Sequence, residues 1–165
     1  MRPIALAAIP ALMLAACATA EETTAPQAPM AMAAPDKPHI VTVQSNSEFD
    51  QTVAQLKTAI EARGFKTFAI VDHAKGAASI GEILAPTTLI IFGNPKGGTP
   101  LLQNDSRIGL EIPLRVLVRQ ANDGVEIIHE DMAHLFHEYG LEGLDKNLAG
   151  IEAALGAITV EAAAN

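Results

Sequence analysis

The sequence predicts an α+β fold, a single compact domain with a mixed sheet of about five strands and helices packed on it. Three observations carry this. Short runs rich in β-branched and aromatic residues are spaced between residues 39 and 129, and two stretches, 49–60 and 144–158, repeat apolar residues at the helical period. Asn122-Asp123-Gly124 separates the last two runs as a hairpin turn does, because Asp and Gly tolerate positive φ angles.

Each element follows in order. Residues 39–44 alternate apolar and polar, the mark of a first strand. Ser45 or Ser47 can cap the next helix, with Glu48 or Asp50 three residues on in the capping-box position. Phe49, Val53, Leu56 and Ile60 then lie on one helical face, and Gly64 supplies the stop. Residues 65–71 and 87–92 are apolar runs that predict strands buried on both faces. Between them, residues 74–80 are small and fit a short helix or turn. Thr99 and Pro100 read as the cap and first residue of a helix. Residues 114–120 and 125–129 form the hairpin strands, and a helix over 132–139 ends at Gly140. A last helix carries Leu144, Leu148, Ile151, Leu155 and Ile158 on one stripe.

Ahead of this domain, the N-terminus reads as an address. Arg2 gives a positive start, residues 4–14 an apolar stretch, and Ala15-Ala16 small residues directly before Cys17, the single cysteine. The run Leu14-Ala15-Ala16-Cys17 resembles a bacterial lipoprotein signal, which implies cleavage before Cys17 and acylation of its thiol and amine. The apolar stretch is shorter than the roughly 20 residues that span a bilayer, so residues 1–16 are expected to be removed and the protein to be anchored by lipid. Ala18 in place of an aspartate points to the outer membrane, facing the periplasm. Residues 17–38, with Pro26, Pro29, Pro35 and Pro38 and no apolar periodicity, read as a tether with an upper reach of about 70 Å. The domain proper is residues 39–165.

Composition removes several classes of function. The formal net charge is −8, which repels phosphate backbones and makes nucleic acid an unsuitable partner. With Cys17 committed to lipid, no thiol remains for disulfides, nucleophilic chemistry or cysteine metal sites. One tyrosine and no tryptophan leave no aromatic platform for sugars or single-stranded nucleic acid.

Three features can carry chemistry. The run Gly93-Asn94-Pro95-Lys96-Gly97-Gly98-Thr99-Pro100 lies between a strand and a helix, where backbone amides can hold an anion. It is neither a P-loop nor a dinucleotide fingerprint, and a tight turn needing glycine explains it as well. His73 follows a strand and Asp72, so its imidazole can act as a base or a ligand, or simply bond neighbouring backbone. His129, His134 and His137 with their acidic neighbours form the densest ligand-capable stretch, yet the order His-x-x-His-Glu is not the zinc-peptidase motif and also suits a solvated acidic helix. No serine stands in a nucleophile-elbow context.

The stretches 71–78 (Val-Asp-His-Ala-Lys-Gly-Ala-Ala), 86–100 (from Pro86-Thr87-Thr88 through Gly93-Asn94-Pro95 to Pro100) and 110–118 (Leu-Glu-Ile-Pro-Leu-Arg-Val-Leu-Val) resemble, in order and spacing, the bacterial and archaeal "domain of unknown function 302" family. The likeness covers nearly all of residues 39–141. It implies a compact α+β fold and homodimers, and no catalytic assignment. Glu111 stands where the family often has an aspartate before Ile-Pro or Leu-Pro, keeping the charge. The histidines after the hairpin are not part of the family pattern.

Two functional expectations follow. One is a lipid-anchored envelope protein that binds a small unidentified ligand or pairs with itself, without turnover. The other is an enzyme, or a metal- or cofactor-handling protein, using His73 with the Asn94-to-Thr99 turn. The candidate ligand site is His73, Asn94, Lys96, Thr99 and Glu111, and no particular cofactor is indicated.

Overall fold

Burial alternates residue by residue along two central strands of the computed structural model, as it must where one sheet face meets a core and the other does not. The structure describes residues 39–140 and 144–164; the signal-like segment, Cys17 and the tether lie outside the described residues. Five strands, β1 (Ile40–Ser45), β2 (Lys66–Asp72), β3 (Thr87–Gly93), β4 (Leu114–Ala121) and β5 (Gly124–Glu130), form one sheet in the order β1-β5-β4-β3-β2. Five helices accompany them: α1 (Phe49–Ala62), α2 (His73–Ala78), α3 (Pro95–Asn104), α4 (Met132–Glu138) and α5 (Asp145–Ala163). A 3-10 turn, Ser106–Leu110, joins α3 to β4.

The fold is α+β, with one difference from expectation: every pairing in the sheet is antiparallel, not mixed. The reason is the path of α1. β1 and β2 run in the same direction, but α1 carries the chain from one edge of the sheet to the other, so three strands separate them. The β4–β5 hairpin closes at Ala121↔Gly124 as its turn residues predict.

The core lies between the sheet and α1, α3, α4 and α5. Leu56 and Ile60 of α1, Ile90 and Phe92 of β3, Val116 of β4, Ile127 of β5 and Leu155 and Ile158 of α5 are fully buried there. Each such side chain contributes about 1.5–3 kcal/mol relative to exposure. α1 begins after Glu48, whose side chain makes no capping bond; Ser45 instead holds Thr52 of the helix through their hydroxyls at 2.7 Å. Gly64 ends the segment at φ +73°, where a side chain is disfavoured.

Two further expectations change. Neither β2 nor β3 is buried on both faces: β3 alternates buried and half-buried residues, and β2 is an edge strand, mostly exposed, with Phe68, Ile70 and Val71 open to solvent. α3 does not begin at Thr99-Pro100 but at Asn94-Pro95, with Asn94 as the cap and Pro95 first in the helix, so that Pro100 falls inside it. Asn94 wins because its side chain also reaches back, donating from Nδ2 to the carbonyl of Gly64 at 3.2 Å.

Candidate functional site

At the end of the sheet where β3 finishes and β2 and β4 start, the chain builds an apolar cleft of about 260 Å³. Gly93 ends β3 there. A Cβ on it would stand 3.1 Å from the Phe68 ring and 3.5 Å from Pro113, so the bare backbone lets both walls close over the strand end. Phe68 reaches this position from an irregularity in β2, where the register shifts between Thr67 and Ala69. Phe65, Leu101, Leu114 and Ile151 add wall from β2's lead-in, α3, β4 and α5, and the cis peptide Ile112–Pro113 borders the opening.

The predicted turn lines this cleft, but not as an anion cradle. Lys96 N–H donates to Asn94 Oδ1 at 3.0 Å, the Gly97 and Gly98 amides both donate to the Asn94 carbonyl at 3.0 Å, and Pro95 has no N–H. The amides at the start of α3 are therefore spent inside the helix. Asn94 is spent as well, since its Oδ1 and Nδ2 serve Lys96 and Gly64. Thr99 lines the cleft from within α3, while Lys96 sits between lining residues on the exposed side.

His73 lies elsewhere. Lys66 pairs with Gly93 and Asp72 with Thr88, so β2 carries Asp72 six residues along the strand, about 20 Å from the turn, and His73 follows it. His73 opens α2 and is exposed, and Asp72 caps that helix by accepting from Lys75 N–H at 2.8 Å. The shared His73–turn site is thus not assembled.

Glu111 belongs to a polar chain that rounds the cleft end of the sheet. Tyr139 donates to Glu111 Oε1 at 3.0 Å, and Arg115 donates to Glu111 Oε2 and to Glu130 Oε2, each at 3.0 Å. The hydrogen bond to Glu111, then burial, holds the Tyr139 phenol above its ordinary range. Beside it, Arg107 grips Asp105 through side chain and backbone, which lowers the Asp105 carboxyl. Neither Tyr139 nor Phe68 is marked by any sequence motif. The one available signal for Phe68 is its pairing opposite a glycine at the end of a strand.

The three later histidines are likewise drawn into local contacts. His129 Nδ1 lies 2.9 Å from the Glu130 carbonyl, and His134 stacks on His39 with centroids 3.2 Å apart while its Nε2 stands 3.3 Å from Glu138. His137 sits in the last turn of α4. Among the described residues no three His, Cys, Asp or Glu side chains group closely enough to hold a metal ion.

Among the described residues, the helices that build the core, α1, α3, α4 and α5, pack on one face of the sheet. Leu89 and Ile91 of β3, Leu117 of β4 and Ile128 of β5 lie on the alternate phase to the core residues and outside the core cluster. By register, Thr42, Ile128, Leu117, Leu89 and Val71 form one row across all five strands. Ion pairs flank the row, Arg115–Glu130 at 3.0 Å on one side and Arg119–Glu126 at 2.6 Å on the other.

Comparison with known proteins places this architecture. A crystal structure of an uncharacterized conserved protein DUF302 from Bacillus stearothermophilus superposes with a TM-score of 0.71 at 19% identity, covering 76% of this chain and 99% of that one. Fluoride-specific ion channel FluC 1 of Brucella suis biovar 1 is 38% identical over 111 residues, 67% of this chain and 43% of that protein. Fluoride-specific ion channel FluC 2 of Brucella melitensis biotype 1 matches at the same identity over 41% of its length. This chain therefore spans less than half of those curated relatives. Among the described residues no helix is long and apolar enough to cross a membrane. Residues 41–158 match the family described as "Domain of unknown function DUF302", and the chain belongs to that family.

Proposed function

We propose that this is a lipid-anchored envelope protein, facing the periplasm from the outer membrane, whose folded domain pairs with a second copy of itself and binds without turnover. The observation that carries the reading is the sheet face opposite the core, with its apolar row between two ion pairs. Arg115 and Arg119 lie on β4, and their partners Glu130 and Glu126 lie at the same heights on β5. A two-fold axis along the strands, between β4 and β5, sets each arginine over the second copy's glutamate and Leu117 over its Ile128. The contact is isologous and self-complementary.

The anchor rests on the run ending at Cys17. Nothing favours catalysis by His73 with the turn, because about 20 Å separates them. Sedimentation of the purified full chain tests the pairing. The expected result is a dimer at micromolar concentration and a monomer for Leu117→Glu with unchanged circular dichroism. A wild-type monomer across the accessible range would refute it. The anchor is checked by Cys17→Ser, which is expected to leave uncleaved precursor and no acylated form; a membrane-bound product of normal mature mass in that variant is the contrary outcome.

A further inference from the structure

We propose that the free edge of β1 is a second contact site for another copy of this chain, joined antiparallel with Thr42 opposite Thr42, and that pairing on the sheet face closes it. The closure rests on the face pairing proposed above; the edge contact does not.

The edge is read from the backbone. Asp131 N–H donates to the His39 carbonyl at 2.8 Å, and the β1–β5 register runs unbroken from Ile40↔Glu130 to Ser45↔Val125. Bonded residues alternate along an antiparallel pair. Val41, Val43 and Ser45 therefore turn N–H and C=O toward β5, as His39 does, while Ile40, Thr42 and Gln44 turn theirs outward. All three are exposed, and β1 is the last strand of the sheet among the described residues. Residues 40–45 carry no charge, no proline and no bulge, the usual devices that keep an edge from pairing. β2, the other edge, is guarded: its register shifts between Thr67 and Ala69, and Lys66 and Asp72 put a charge at each end.

The occupant is read from where the edge stops. With Thr42 opposite Thr42 of the second copy, Ile40 meets its Gln44, and every outward N–H finds an outward C=O. A centre one residue nearer the N-terminus asks for the N–H of residue 38, a proline. A centre one residue later asks for the N–H of Asn46, which is spent on the Ala163 carbonyl at 2.9 Å. The register centred on Thr42 avoids both, and it is its own complement. In it the two Thr42 side chains lie side by side, and Val41, 39% exposed on the core side, gains Val43 of the second copy.

Face pairing closes this edge. With the two-fold axis between β4 and β5, β3 of the face partner lies over β1, and its β2, one strand further out, overhangs the edge. Two face pairs joined at β1 would each bring β2 across the joint into the space held by the other's β3. The contact is thus open to a chain without a face partner and shut in a face pair, so that pairing covers an edge the strand itself leaves unguarded.

The test is disulfide trapping in the full chain with Cys17→Ser, which makes a placed cysteine the single thiol. Bonded residues of an antiparallel pair stand about 5.5 Å apart at Cα, within disulfide range. In a Leu117→Glu background at high protein concentration, with a mild oxidant, Thr42→Cys is expected to give a covalent dimer and Gln44→Cys alone to remain single. Mixed Ile40→Cys and Gln44→Cys chains, a second trap in the same register, should cross-link to each other. With Leu117 intact, trapping at Thr42 should fall several-fold. Failure of both traps in chains with unchanged circular dichroism would overturn the edge contact, and equal trapping by Gln44→Cys alone would overturn its register. Equal trapping with and without Leu117, in a wild type that sediments as a dimer, would overturn the closure. The same result in a wild type that sediments as a monomer refutes the face pairing, and the closure with it, while the β1 contact stands.

Discussion

Tyr139 is the chain's single tyrosine, so absorbance at alkaline pH reports it alone. Its hydroxyl donates to Glu111, and the neutral phenol is favoured in the folded protein. A raised folded pKa adds stability that is complete below the unfolded value, about 10, and is lost as pH rises through the folded one. Wild type should therefore titrate above an ordinary tyrosine and lose stability across that alkaline window. Glu111→Gln should lower the midpoint and narrow the window; an unshifted spectrophotometric titration would show that Glu111 is not the cause. Asn94 offers a second check by thermal denaturation. It caps α3 and ties it to Gly64, so Asn94→Ala should cost about 1–2 kcal/mol. His73→Ala removes an exposed ring at a helix start and should stay within about 0.5 kcal/mol.

At the scale of elements, β2 and β3 make the sharpest contrast. Ile70 and Ile90 face each other in register, yet Ile70 is 46% exposed and Ile90 fully buried. In denaturant titrations Ile90→Ala should cost about 2–5 kcal/mol. Ile70→Ala should cost far less in the monomer, and equal losses would mean that β2 is covered. The existence of both strands is legible in their apolar, branched runs. Their exposure is not, because a strand next to a core and a strand at an uncovered edge draw on the same residue types. α3 shows a second limit. Asn94-Pro95 and Thr99-Pro100 are both cap-and-proline pairs, and the choice between them rests on the Gly64 carbonyl, 30 residues away. The helical stripes and the hairpin were readable because their signals are local. The cleft was not, since Phe65, Leu101, Ile112 and Ile151 come together only through the sheet order.

At the scale of the whole molecule, sheet order also governs when the fold can form. Among the described residues β1 pairs with β5 alone, Ile40 meeting Glu130 and Ser45 meeting Val125. α1 packs chiefly on α5, and the Asn46 amide donates to the Ala163 carbonyl at 2.9 Å. The first strand and the main packing of the first helix therefore wait for residues from Gly124 onward, a long loop closure before any reward. A chain emerging from its N-terminus carries β1 unpaired until β5 has followed. Strands β2 to β5 meet their neighbours in chain order, so what is deferred is the far edge of the sheet and the α1–α5 layer, which close only when nearly all of the domain has been made.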